Sequence, residues 1–115
     1  MAVYLPQEVM YKNNKGELVP KFSTYPAARY GDVITLLPYG NVMLSPQPMI
    51  YRLRTALQHY SDEDFILPIG DPAAIGACMA IAANNNNGRI QLLRWDRRAH
   101  KYHVSKMNVH GGSYD

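Results

Sequence analysis

The sequence predicts an α/β protein, a small Rossmann-like three-layer sandwich with a mostly parallel sheet, one antiparallel C-terminal hairpin strand and an N-terminal β-arm. Short, nearly continuous apolar runs at 32–37, 65–69 and 89–95 are typical of strands buried on both faces. Helical patterns over 47–60 and 72–84 separate these runs. A turn signal at 96–100 precedes a further strand over 101–109, which we expect to return antiparallel to its neighbour.

The length and composition indicate one domain. The chain has 115 residues, of which 47% are apolar, and we divide it into an arm and connector over 1–30 and an α/β body over 31–110. Its longest run without a polar side chain, 72–83, falls short of the roughly 20 residues that cross a bilayer. No secretory signal is visible at the start, and the single cysteine excludes a disulfide scaffold. We therefore expect no membrane partner and a cytoplasmic location.

The N-terminal arm is predicted from a turn signal. Asn13 to Gly16 separates two β-rich runs, 3–11 and 17–22, and a Gly/Asn turn between such runs indicates a hairpin. Pro6 and Pro20 lack a backbone donor, so we expect these strands to lie at an edge or to be irregular, in an arm that is loosely attached to the body. Because the arm has little core of its own, we expect it to pack on a second copy of the chain in a homo-oligomer.

The two predicted helices differ in character. The first has one apolar face, formed by Ile50, Leu53, Leu57 and Tyr60. The second begins with Asp71 as its N-cap and Pro72 in its first turn, and it ends before an asparagine run and Gly88, a C-cap signal. Small residues occupy every face of this second helix. We therefore expect it to lie buried against the sheet, with close packing as the reason for Gly76.

One candidate ligand site lies at the carboxyl edge of the predicted sheet, where parallel sheets usually bind ligands. Gly70 leads into a helix N terminus, and the backbone at Asp71 and Ala73 can cradle a nucleotide phosphate or another anion. Against this, Asp71 supplies its own carboxylate, Pro72 removes a donor, and no GxGxxG or Walker sequence is present. A small-ligand-binding protein is therefore the alternative interpretation.

Residues for catalysis or metal binding form no recognisable set. Cys78 lies mid-helix among alanines, where a thiol behaves as a small apolar group. His100 and His103 have an odd separation, which on a strand sends their side chains to opposite faces. The sequence therefore predicts no metal and no cofactor, and it leans away from an enzyme.

Positive charge concentrates near the C terminus. Between Gly88 and His110 lie six of the twelve basic residues and one of the nine acids. Basic side chains contact phosphates, and interleaved aromatic rings stack on bases. The predicted nucleic-acid-binding residues are Arg94, Trp95, Arg97, Arg98, Lys101 and Tyr102. The alternative is an edge hairpin whose charges only prevent sheet-to-sheet aggregation.

Three segments of the C-terminal half carry a resemblance: Asp64 to Pro72, the small-residue helix that follows, and Gly88 to Arg98. In this order they resemble small proteins encoded by tailed bacteriophages, especially marine ones. The resemblance implies a viral accessory protein expressed in a bacterial cytoplasm, and it brings no activity and no catalytic residues. Together with the charge pattern, it favours a non-enzymatic binding or interaction protein that contacts nucleic acid weakly through its C-terminal hairpin.

Overall fold

The computed structural model describes residues 1–41 and 44–114, which form a mixed α/β protein. In chain order its elements are β1 (Ala2–Gln7), β2 (Met10–Lys12), β3 (Leu18–Pro20), a 3₁₀ helix (Tyr25–Tyr30), β4 (Asp32–Leu37), α1 (Pro46–Ala56), β5 (Phe65–Ile66), α2 (Pro72–Asn85), β6 (Arg89–Asp96) and β7 (Lys101–Asn108). The predicted helices and body strands are confirmed, except that α1 ends at Ala56, so Tyr60 lies beyond the helix to which the sequence assigned it. β5 is shorter than predicted because Pro68 cannot continue a regular ladder.

The main sheet has the strand order β4-β1-β5-β6-β7. All neighbouring pairs are parallel except β6 and β7, which form the predicted antiparallel hairpin. The strand order reverses between β1 and β5, as in flavodoxin-like doubly wound sheets. Side chains of α1 and α2 pack on one face and those of the 3₁₀ helix on the other. The predicted three-layer, mostly parallel sandwich is therefore confirmed.

The structure places β1 inside this sheet, so the prediction of a loosely attached arm is wrong for residues 2–7. The sequence predicts Pro6 at an edge, yet it is fully buried in an inner strand. Leu67 donates its N–H to Tyr4, and its carbonyl then faces the position of the missing Pro6 donor. That carbonyl accepts the N–H of Ile69 instead, at 2.7 Å, so the proline leaves no acceptor unpaired.

The hairpin of the predicted arm exists in a shorter form. β2 and β3 pair antiparallel as a separate two-stranded sheet. Between them, the Asn13 side chain accepts the N–H groups of Lys15 and Glu17, and Gly16 adopts a φ of 77°. The turn chemistry therefore predicts the hairpin correctly, and both of its strands are shorter than expected.

The sheet divides the core into two layers. The layer on the side of α1 and α2 contains Leu37, Leu53, Leu57, Ile66, Cys78 and Ile90. The layer on the side of the 3₁₀ helix contains Val3, Leu5, Ala27, Leu67, Leu93 and Tyr102. Burial raises the pKa of the Cys78 thiol to about 12, so this group is neutral and serves as packing.

Helix α2 packs against the sheet as expected, but it also has an exposed side, which the sequence did not predict. Ala74 and Cys78 are buried, whereas Ala73, Gly76 and Ala80 face solvent. A Cβ atom added at Gly76 would meet nothing within 4 Å, so close packing is not the reason for this glycine. Within the described ranges, no helix combines the length and apolar content needed to cross a bilayer.

We expect Gly76→Ala to raise the free energy of unfolding by about 0.5–1 kcal/mol, because alanine loses less backbone entropy than glycine in a helix. Urea denaturation measures the change. Ala80→Gly, on the same exposed side, is the reciprocal control and should lower stability by a similar amount. A Gly76→Ala protein that is less stable than wild type would mean that another molecule covers this side of α2.

Candidate nucleic-acid interface

A cleft of about 770 Å³ opens at the carboxyl edge of the main sheet. Segments that follow β1, β3 and β5 border it, together with the last residues of β6 and the first residues of β7. Its lining combines apolar side chains with aromatic rings and few polar groups: Val9, Lys21, Phe22, Ser23, Pro26, Leu67, Pro68, Ile69, Gly70, Leu93, Arg94, Trp95 and Tyr102. Both the position and the size are typical of ligand sites in parallel sheets.

Trp95 is the more accessible of the two aromatic side chains that the sequence assigned to the site, with 46% of its surface exposed. Its indole makes T-shaped contacts with Tyr102, at 5.0 Å between ring centroids, and with His100, at 6.4 Å. Tyr102 is only 9% exposed, so it supports the indole and presents little ring surface of its own. The two aromatic residues therefore have different roles: Trp95 is accessible and Tyr102 holds it in place.

Strand alternation separates residues that the sequence interpretation grouped together. Trp95 and Tyr102 are a cross-strand pair on the cleft side of the sheet. Arg94 pairs with His103 one position away, so its side chain points to the helix side although its strand borders the cleft. Lys101 directly precedes Tyr102 on β7, so its side chain also points to the helix side. Arg94 and Lys101 therefore share a face that Trp95 does not.

The turn between β6 and β7 presents Arg97 and Arg98 to solvent. Asp96 closes this turn, since its Oδ1 accepts the N–H groups of Arg98 at 2.9 Å and Ala99 at 3.1 Å. Its Oδ2 lies 2.6 Å from Nε2 of His103. The His103 contact and these N–H donors lower the pKa of Asp96 to about 2. Within the described part of the chain neither arginine forms an ion pair, so their charge is available to a ligand.

Two other basic residues of the segment are engaged elsewhere. Arg89 forms an ion pair with Asp62, and its guanidinium lies 5.7 Å from the ring centroid of Tyr114. The Lys106 ammonium lies 5.5 Å from the same ring. Both residues are distant along their strands from the β6–β7 turn. The available charge is therefore concentrated at the turn end of the hairpin.

Sequence reasoning missed Lys21 and Phe22, which line the cleft from the β3 side. Phe22 is 47% exposed, and the Lys21 ammonium lies 5.6 Å from the centroid of its ring. The Lys21 N–H donates to the carbonyl of Val9 at 2.8 Å, which holds this segment beside the end of β1. No pattern in the sequence around these residues predicts that they lie near Trp95, because their position depends on β1 lying inside the sheet.

The alternative anion site at Gly70 is filled by the protein's own groups. The N–H of Asp71 donates to Oε1 of Gln7 at 2.7 Å, and Oδ1 of Asp71 accepts the N–H of Ala73 at 2.7 Å. Gln7 also donates from Nε2 to the carbonyl of Gly40 at 2.7 Å. This buried amide thus occupies the crevice between β1 and β5 where the strand order reverses. Two donors that an anion needs there are already used, which favours the cleft around Trp95.

Comparison with known proteins identifies a phage family. A family model described as "Phage Pam3 gp32-like protein" matches residues 1–109. No curated protein and no solved structure matches the chain. The matched range includes all strands of the main sheet and every residue that lines the cleft. The phage resemblance of the C-terminal half is confirmed, and the match extends it to the N-terminal half.

Proposed function

We propose that this chain, which belongs to the phage Pam3 gp32-like family, is a non-enzymatic binding protein that contacts single-stranded nucleic acid through the cleft around Trp95. One observation carries the proposal: a half-exposed indole borders a cleft at the carboxyl edge, next to a turn with two solvent-facing arginines. Aromatic rings bind bases by stacking, and cations bind the phosphates between them.

The cleft suits an unstacked base better than a duplex. Its apolar lining, including Leu67 and Leu93, provides a surface for a base beside Trp95 and Phe22. Bases in a duplex are stacked on each other and cannot reach such a surface, whereas those of a single strand can turn into it. The strand that enters the cleft carries its phosphates past Arg97 and Arg98, which follow Trp95 closely in the chain.

A binding role agrees with the polar groups of the cleft. Among the described residues that line it, none is Asp, Glu, His or Cys, the types on which acid–base and nucleophilic catalysis most often depend. Lys21 in the cleft and the two arginines of the neighbouring β6–β7 turn supply positive charge for phosphate contact. With few phosphate contacts and a net charge of +3, we expect binding to be weak at low salt and to weaken further with a shallow slope as salt is raised.

The experiment uses the only tryptophan of the chain as its probe. Because Trp95 borders the cleft, we expect oligothymidylate to quench the intrinsic fluorescence at low salt and to lose this effect as salt is raised. The anisotropy of a labelled oligonucleotide measures the affinity independently. By this second measure Trp95→Ala should weaken binding by about 1–3 kcal/mol, the usual contribution of one stacked base. Trp95→Phe should recover part of that loss.

A matched pair of double variants separates a local contact from a general charge effect. Arg97→Ala/Arg98→Ala should reduce the salt slope by about one for each arginine that binds a phosphate in the wild-type complex. Arg52→Ala/Arg54→Ala removes the same charge from exposed positions of α1 and should leave the slope unchanged. The proposal is wrong if wild type does not bind at low salt, or if the two double variants weaken binding equally.

A further inference from the structure

The two edges of the main sheet differ in how they are protected. The outer strands are β4 and β7, and an unpaired strand edge presents backbone groups that can pair with another chain. β7 carries Lys101 and Lys106, and charged side chains of this kind discourage such pairing. β4 has the sequence DVITLL, with Asp32 as its one charged residue, and its Ile34 side chain is 41% exposed. The β4 edge therefore lacks the usual protection.

The register with β1 defines which backbone groups of β4 face outward. The N–H of Asp32 donates to the carbonyl of Met1, so the backbone groups of Asp32 point into the sheet. Because these groups alternate in direction along a strand, the N–H and C=O of Val33 and Thr35 point away from the sheet. Outward groups on residues two apart are the arrangement that an antiparallel partner strand requires.

We propose that β4 pairs antiparallel with β4 of a second copy of the chain, joining two five-stranded sheets into one. In the register centred on Ile34, Val33 of each copy faces Thr35 of the other, and all outward groups of these residues form hydrogen bonds. The two Ile34 side chains then meet at the two-fold axis as a non-hydrogen-bonded pair, in which side chains approach most closely.

The charges of β4 are compatible with pairing between two copies, and its outward backbone groups are self-complementary in this register. In this register Asp32 faces Leu36 of the other copy, so the only charged residue of the strand does not meet its own equivalent. The pairing is isologous and closes at a dimer. The homo-oligomer expected from the sequence is thus assigned to the edge of β4, because β1 lies inside the sheet and cannot act as a free arm.

Analytical ultracentrifugation over a concentration series tests the pairing. Wild type should approach twice 13.0 kDa at high concentration. Ile34→Lys places like charges at the two-fold axis and should sediment at 13.0 kDa throughout, with an unchanged circular dichroism spectrum because the side chain is exposed. Val104→Lys, at a residue of β7 that is 39% exposed, is the matched control and should still dimerise.

A mixing experiment tests the register itself. Ile34→Glu should also be monomeric alone, because two carboxylates then meet at the axis. An equimolar mixture of Ile34→Lys and Ile34→Glu should recover the dimer, because opposite charges face each other only if residue 34 pairs with its equivalent. The proposal is overturned by a wild type that stays monomeric, by a dimer that survives Ile34→Lys, or by a mixture that remains monomeric.

Discussion

Gly70→Ala is expected to lower the free energy of unfolding by about 4 kcal/mol, a large part of the roughly 5–15 kcal/mol that stabilises a domain. Gly70 has a φ of +128°, a conformation that costs other residues about 1–3 kcal/mol. Its added Cβ would also lie 2.6 Å from the Cβ and 3.2 Å from the Cα of Gln7. Gln7 belongs to the inner strand β1 and cannot move aside, and overpacking of this kind costs about 1–3 kcal/mol more. Urea denaturation measures the change.

Gly40→Ala is the control that separates the two contributions. Gly40 has a similar φ of +120°, but a Cβ atom there would meet nothing within 4 Å. It should therefore show only the conformational cost of about 1–3 kcal/mol. If Gly40→Ala and Gly70→Ala destabilise equally, the contact with Gln7 contributes nothing, and the crevice between β1 and β5 has more room than the structure shows.

Features of the fold that depend on local chemistry were predictable from the sequence. Asp71 and Pro72 begin α2 as predicted, and the Asp71 carboxylate caps the N–H of Ala73 at 2.7 Å. At its other end, Asn87 and Gly88 have φ values of 56° and 85°, which agrees with the predicted turn. These signals act within a few residues, so no knowledge of the rest of the chain is required to interpret them.

The position of β1 was not predictable, because it depends on a compensation between distant residues. A proline in a strand usually indicates an edge, and this rule placed Pro6 outside the sheet. The exception arises because Ile69 donates to the carbonyl of Leu67, which would otherwise face the proline without a partner. That hydrogen bond lies more than sixty positions along the chain from Pro6, and no local sequence pattern predicts it.

The candidate site was predictable only in part, because some of its residues are close in the chain and others are brought together by distant strand pairing. Trp95 and the turn arginines follow from the basic and aromatic composition of one hairpin. The separation of Arg94 from Trp95 was also accessible, since neighbouring positions of a strand point to opposite faces. Lys21 and Phe22 were not, because they reach the cleft only through the pairing of β1 with β5.

At the amino end of β1, we expect Asp64→Ala to lower the free energy of unfolding by about 3 kcal/mol. Asp64 is 8% exposed, and its Oδ1 accepts the N–H of Ala2 at 3.0 Å. Its Oδ2 accepts the N–H of Ser61 at 3.0 Å. Hydrogen bonds to a charged acceptor contribute about 1.5–3 kcal/mol each, and their loss leaves partly buried donors without a partner. Urea denaturation measures the loss.

Asp62→Ala is the matched control, because it removes an acid of the same loop that is exposed. Its ion pair with Arg89 lies at the surface, where such pairs contribute at most about 1 kcal/mol. Hydrogen exchange gives a second measurement, in which the amides of β1 should lose protection in Asp64→Ala and retain it in Asp62→Ala. Equal destabilisation by the two variants would show that Asp64 acts through the charge of the loop. A selective loss in Asp64→Ala would show that this buried carboxylate holds β1 within the sheet. Because the segment after β1 borders the cleft, the shape of the cleft would then depend on Asp64 as well.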